Sequence, residues 1–130
     1  MIRAALALPA LAGLLTCAGD ETLSGYGATD AVWVLQELDN APFTAHATLI
    51  FPEEGALKGD APCNTYTGAQ TAPYPWFAAE NITSTRRACP DLTAETTYFT
   101  AIAEMTLAEV SGDTLILSND AGRMMVFAAQ

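Results

Sequence analysis

Few side chains in these 130 residues have the type and spacing to carry out chemistry. His46 is the sole histidine. A Ser-His-acid mechanism would need it as the base, yet none of Ser24, Ser84, Ser111 or Ser118 lies in a Gly-x-Ser-x-Gly nucleophile turn. Its neighbours Thr44, Ala45 and Ala47 place it on an exposed loop or strand edge. Zinc wants clustered Cys and His, which are lacking. Asp113, Asn119 and Asp120 are turn formers whose spacing does not follow a calcium loop, and Glu53-Glu54 reads as a solvated turn. The sequence therefore points to no catalytic residue, no metal and no cofactor, and the expectation is a protein that is not an enzyme.

One polar cluster stands out: Cys63-Asn64 together with Thr85-Arg86-Arg87-Ala88-Cys89. In an oxidising compartment Cys63 and Cys89 are expected to form a disulfide, and two buried thiols are the alternative. The loop closed would be about 26 residues, worth roughly 3–4 kcal/mol in the chain-entropy treatment. Such a bond sets Asn64 beside the two arginines. Asn64, Thr85, Arg86 and Arg87 are thus the candidate interaction or anion site, because guanidinium groups take carboxylates bidentately. The competing reading is structural. In it Arg86 pairs with an acid such as Glu95, while Asn64 and Thr85 satisfy loop backbone. If the segment is a strand, alternation sends Arg86 and Arg87 to opposite faces and at most one points inward.

What must hold this cluster is a single domain, since the length supports one core and not two. With 5 Lys+Arg against 15 Asp+Glu the formal net charge is −10, which argues against nucleic acid as a partner and against an anionic bilayer surface. Met1-Ile2-Arg3 followed by the uncharged run Ala4 to Leu15 reads as a signal peptide over residues 1–16. The sequence Leu14-Leu15-Thr16-Cys17-Ala18 resembles a bacterial lipobox, with Cys17 as the lipid attachment site; cleavage after Ala18 is the alternative. Either processing puts the chain outside the cytosol. The favoured one anchors it to the cell envelope facing the periplasm, and the other leaves it soluble in the periplasm or secreted. Residues 17–30, small and Gly-containing near Ser24-Gly25-Tyr26-Gly27, are expected to be a flexible tether, with the folded body over 31–130.

Within that body, Val32–Leu38 alternates as a strand and Asp39-Asn40-Ala41-Pro42 breaks it. Ala47–Phe51 is β-rich, with Ala56–Asp60 as its expected hairpin partner across Pro52-Glu53-Glu54-Gly55. Cys63–Ala69 and parts of Trp76–Thr85 have strand composition. One main helix is expected over about 92–105, capped by Asp91 or Thr93, with Tyr98, Phe99, Ile102 and Met105 on one face. Two tight strand pairs follow, turning at Ser111-Gly112-Asp113 and Asn119–Gly122. Tyr74, Trp76 and Phe77 pack over one end of the sheet or rim an apolar pocket lined by Trp33, Phe51 and Phe127. The pattern is α+β: a small antiparallel β-barrel-like sheet with the helix packed on it.

Taken in order, Trp33-x-Leu35, Leu49-x-Phe51, Cys63-Asn64-x-Tyr66-x-Gly68, Ser84-Thr85-Arg86-x-Ala88-Cys89, Glu95 before Phe99, and Gly112-Asp113-x-Leu115-x-Leu117 resemble the META domain, the family of HslJ-like heat-shock and envelope lipoproteins. The resemblance spans about Ala31 to Phe127. Pro62 stands where the family often has Gly, and Arg87 where an apolar residue, often Met, is common. The resemblance implies a compact antiparallel barrel-like fold with a helix, a link with stress or drug tolerance in some members, a similarity to secretion-pilot lipoproteins, and no known reaction. The expected function is a non-enzymatic envelope lipoprotein, a stress-related or protein-interaction module with an unidentified envelope protein as partner. The alternative is a small barrel that binds a lipid or other apolar ligand with an acidic head group.

Overall fold

The computed structural model describes residues 19–130; the signal segment 1–16 and the lipid-attachment cysteine, Cys17, lie outside the described residues. The strand β1 (Trp33–Leu38) buries Trp33 and Leu35 at alternate positions. It turns through Asp39 and Asn40, both at positive φ, into the two-residue β2 (Ala41–Pro42). Asp and Asn tolerate that left-handed backbone, which suits the twist of a two-residue hairpin. β3 (Thr48–Leu49) pairs with the start of β1.

β4 (Gly55–Asp60), β5 (Thr65–Gln70) and β6 (Glu80–Ser84) form a separate three-stranded antiparallel sheet. The helix α1 (Leu92–Glu104) follows, then β7 (Leu107–Ser111), β8 (Thr114–Ser118) and β9 (Met124–Ala129). These last three strands join β1 in the order β2-β1-β9-β8-β7. Single bridges link the two sheets, Ile50 to Lys58 on one side, and Trp76 lies beside Leu107 on the other. The arrangement is α+β and barrel-like without closing into a barrel.

The helix runs where expected and packs by its aromatic face. Tyr98 lies 5.8 Å from Tyr66 and 6.4 Å from Phe43 between ring centres, and Phe99 meets the Tyr66 ring edge-on at 5.4 Å. Trp33, Phe51, Phe127, Leu115, Leu117 and Met125 fill the interior between helix and sheets. Asp91 occupies the N-cap but makes no side-chain capping bond.

The expected return of Ala56–Asp60 beside Ala47–Phe51 holds at one point: Ile50 and Lys58 exchange backbone hydrogen bonds at 2.7 and 2.9 Å, and the Asp60 N–H donates to the Thr48 hydroxyl. The full ladder of β4 is with β5, because Thr48 and Leu49 are paired to β1. One expectation needs correction. The tether expected over 17–30 is, in its described part, packed structure. Leu23, in a short 3₁₀ turn at Leu23–Tyr26, is fully buried, as is Ala28, whose carbonyl accepts the Trp33 indole N–H at 3.0 Å. Tyr26 stacks on Tyr74 at 4.8 Å, and the Glu21 carbonyl accepts the Tyr74 N–H. A few apolar side chains in a Gly-rich stretch were enough to bring it into the core.

Candidate functional site

The candidate cluster assembles where the β4–β5 connection, the segment after β6 and the first turns of α1 converge. The Cys63–Cys89 disulfide, with Cα atoms 5.6 Å apart, ties the first two together. Glu95, only 5% exposed on the inner face of α1, is the acceptor at the centre. Its Oε1 accepts the backbone N–H groups of Cys63 and Asn64, each at 2.9 Å, and its Oε2 accepts the Asn64 amide at 2.7 Å. A carboxylate buried this far from water needs such donors, and three of them supply what solvent would have supplied.

Asn64 carries the bonding onward. Its amide also donates to the Arg87 carbonyl at 3.0 Å, while its Oδ1 accepts the Thr85 hydroxyl at 2.9 Å and the Arg87 N–H at 2.5 Å. Thr85 closes the ring by accepting the Thr65 N–H at 3.2 Å and donating its own N–H to the Thr65 carbonyl at 3.1 Å. Asn64 and Thr85 thus secure the backbone of two loops.

Of the structural reading, the backbone roles of Asn64 and Thr85 are present, but Arg86 does not pair with Glu95, because that carboxylate is occupied by Cys63 and Asn64. Neither guanidinium points inward: β6 ends at Ser84, so strand alternation does not govern residues 86 and 87, and both are exposed. Lys58, which sequence reasoning missed, is a third exposed cation, in a neighbouring hollow that shares Ser84 and Thr85 with that of the arginines. It projects from the outer face of β4 opposite Thr67, and a hollow of about 530 Å³ runs from it to Thr83 and Thr85. A second hollow, about 320 Å³, lies on the helix side of the same segment, between Ser84–Arg87 and Leu92, Thr96 and Phe99. Lys58 could have been found from the sequence once β4 and β5 were recognised as a hairpin, which puts Lys58, Asp60, Thr65 and Thr67 on one face.

A second buried polar group was not legible in the sequence. The Tyr66 hydroxyl donates to the Thr48 carbonyl at 2.6 Å and accepts the Tyr98 hydroxyl at 2.6 Å, whose oxygen lies 3.3 Å from the same carbonyl. Burial pushes both phenols well above their ordinary range. Gly59 permits this, since a Cβ there would run into the Thr48 carbonyl and crowd the Tyr66 hydroxyl. Three residues on β3, β5 and α1 meet here, and nothing in their local sequence announces it.

His46 is exposed, with Nε2 3.8 Å from Asp60 Oδ2. Trp76 is 57% exposed whereas Phe77 is buried. Trp33, Phe51 and Phe127, considered above as pocket lining, are core side chains. Among the described residues, no three His, Cys, Asp or Glu side chains gather as a metal site would require. Every buried side-chain nitrogen and oxygen in that range has a hydrogen-bond partner.

Comparison with known proteins gives one family and solved structures of similar fold. The META domain matches residues 27–130. No curated protein sequence matches the chain. Among solved structures, a DUF4847 family protein from Bacteroides vulgatus superposes with a TM-score of 0.66 at 12% identity, over 79% of this chain and 94% of that one. A protein from Burkholderia xenovorans gives 0.64 at 19% identity, over 95% and 99%. At such identities the likeness is one of fold.

Proposed function

The chain belongs to the META-domain family, and on that premise we propose that it is a non-enzymatic interaction module of the cell envelope, held at the membrane through a lipid on Cys17. The observation that carries the interaction reading is how the polar groups are distributed. The buried ones are consumed by structure: Glu95 by three N–H donors, and the two tyrosine hydroxyls by Thr48 and each other. Among the described residues, the cations without a carboxylate partner, Lys58, Arg86 and Arg87, are all at the surface of an otherwise acidic body. Groups placed this way suit contact with another molecule better than bond-making chemistry.

The lipid anchor rests on the lipobox-like sequence around Cys17. Metabolic labelling with a fatty-acid analogue in a bacterial host tests it. Label on the wild type that disappears in Cys17→Ala supports the anchor, and equal label on both, or on neither, refutes it. The interaction reading is tested by crosslinking in living cells of the native host. A reproducible adduct to one envelope protein supports it, and a chain that stays free while a known envelope complex crosslinks normally overturns it.

A further inference from the structure

We infer that the groove between the end of β6 and the first half of α1 receives an extended, acidic segment of a partner protein. Arg86 and Arg87 meet its carboxylates, and Leu92 and Phe99 take its apolar side chains. This inference names the site and the partner chemistry of the interaction module, and it rests on that reading.

Charge placement argues for it first. Of the five basic residues, Arg3 lies outside the described residues, and Arg123 is engaged by Asp39 at 2.8 Å and Glu104 at 3.6 Å. The remaining three sit around Ser84–Thr85, two lining the helix-side hollow and one the outer hollow. No carboxylate lies within ion-pair distance of them among the described residues. Glu95 lines the helix-side hollow but is spent on Cys63 and Asn64. Asp60 shares the outer hollow with Lys58, so the helix-side hollow with Arg86 and Arg87 is the one that suits an acidic ligand. Keeping like charges together and unpaired costs electrostatic energy, which an acidic ligand would recover.

Shape and backbone argue for an extended chain. Among the described residues β6 pairs only with β5, which leaves its other edge without a strand partner there. Past Ser84, Thr85 and Arg87 turn their backbone groups toward Thr65 and Asn64, and the Arg86 N–H and C=O have no partner among the described residues. An exposed strand edge beside an apolar helix face is the geometry that strand-adding peptides use. Leu92, 44% exposed, and Phe99 give that helix face its apolar character. The floor is rigid, because the disulfide and the Asn64–Glu95 bonds fix both walls. An anionic membrane would offer carboxylates or phosphates too, but it would face the whole acidic body, whereas a short peptide meets only this patch.

The test uses the oxidised chain, isotope-labelled for NMR, titrated with an acetylated Glu-Val-Glu-Leu-Glu-Val-Glu-Leu peptide and with its Lys-for-Glu counterpart. The expected result is saturable shifts at Ser84, Arg86, Leu92 and Phe99 with the acidic peptide only. The dissociation constant should rise roughly tenfold in Arg86→Ser/Arg87→Ser and several-fold as salt is raised from about 50 to about 300 mM. Leu92→Asp should weaken binding with the arginines intact. Shifts confined elsewhere, equal response to the basic peptide, or unchanged affinity in the double variant overturn the inference. So does binding to phosphatidylglycerol vesicles that depends on Arg86 and Arg87 without any response to the peptide. In the cellular crosslinking experiment, a partner caught equally by wild type and double variant would remove the groove but leave the interaction module standing. A partner caught by neither removes both.

Discussion

The Glu95 carboxylate and the Asn64 amide are bonded at 2.7 Å across 31 residues of sequence, with the helix supplying the first and the β4–β5 loop the second. Everything in the candidate site is registered to this pair. Asn64 in turn fixes Thr85 and Arg87, and so decides where the exposed edge after β6 runs.

Glu95→Ala would leave two backbone N–H groups and one amide short of their acceptor. Unsatisfied buried donors cost about 1–3 kcal/mol each with partial relaxation, so a loss of about 2–4 kcal/mol is expected. Glu95→Gln keeps one acceptor and should lose less. Urea denaturation of the oxidised protein measures both, and a change below about 0.5 kcal/mol in Glu95→Ala would show that the pair is not holding the site.

Reducing the disulfide should lower stability by roughly 3–4 kcal/mol if the unfolded chain behaves as a free loop of 26 residues. The check is the urea midpoint with and without reductant, together with the mass of the oxidised protein, two hydrogens lighter than the dithiol. An unchanged midpoint would mean that the crosslink contributes nothing to the fold.

Tyr66→Phe and Tyr98→Phe should each cost about 0.5–1.5 kcal/mol, and the double variant should depart from additivity because the hydroxyls bond each other and share the Thr48 carbonyl. Burial raises both phenol pKa values, so the fold holds them protonated. The stability this gives is fully present below the ordinary phenol value near 10.0 and is lost as pH rises beyond it. Urea midpoints followed up to alkaline pH should therefore fall more steeply in wild type than in the double variant.

Asp39 links the β1–β2 turn to the start of β9. Its Oδ2 accepts Arg123 Nε at 3.1 Å and Nη2 at 2.8 Å, and its Oδ1 accepts the Met124 N–H at 3.1 Å. The Arg123 guanidinium and that N–H hold the carboxyl below its usual range. A lowered folded pKa contributes stability above the unfolded value, near 3.8, which is lost as pH falls through the folded one. Asp39→Asn should thus lose stability at neutral pH and show a shallower acid decline below about pH 4, read from thermal melts across that range.

How much of this was legible in the sequence differs by element. The helix over Leu92–Glu104 and the hairpins around Gly112 and Gly122 follow from local pattern and turn chemistry, and the structure has them. The approach of Ala56–Asp60 to Ile50 is also present, but the longer ladder of β4 with β5 is not separable from it by composition, since both flanking segments read as strands. The burial of Leu23 and Ala28 was missed because their surroundings look like linker by composition. At the site, Asn64, Thr85 and the arginines were recognisable as one cluster through the two cysteines. Glu95 was noticed but given to Arg86, since a charge pair is the obvious guess where the chain instead uses two backbone N–H groups. Lys58 required knowledge of the β4–β5 register, and the contact among Thr48, Tyr66 and Tyr98 has no local signature at all.

Whether a partner is held in the groove beside α1 is read by a photoreactive amino acid in place of Leu92, activated in living cells of the native host, with one in place of Trp76 beside β7 as the control. An adduct is expected from position 92, its crosslinked peptide rich in Asp and Glu, and reduced when Arg86 and Arg87 are both Ser. An adduct from position 76 alone, or one from 92 that is indifferent to the arginines, would rule the groove out.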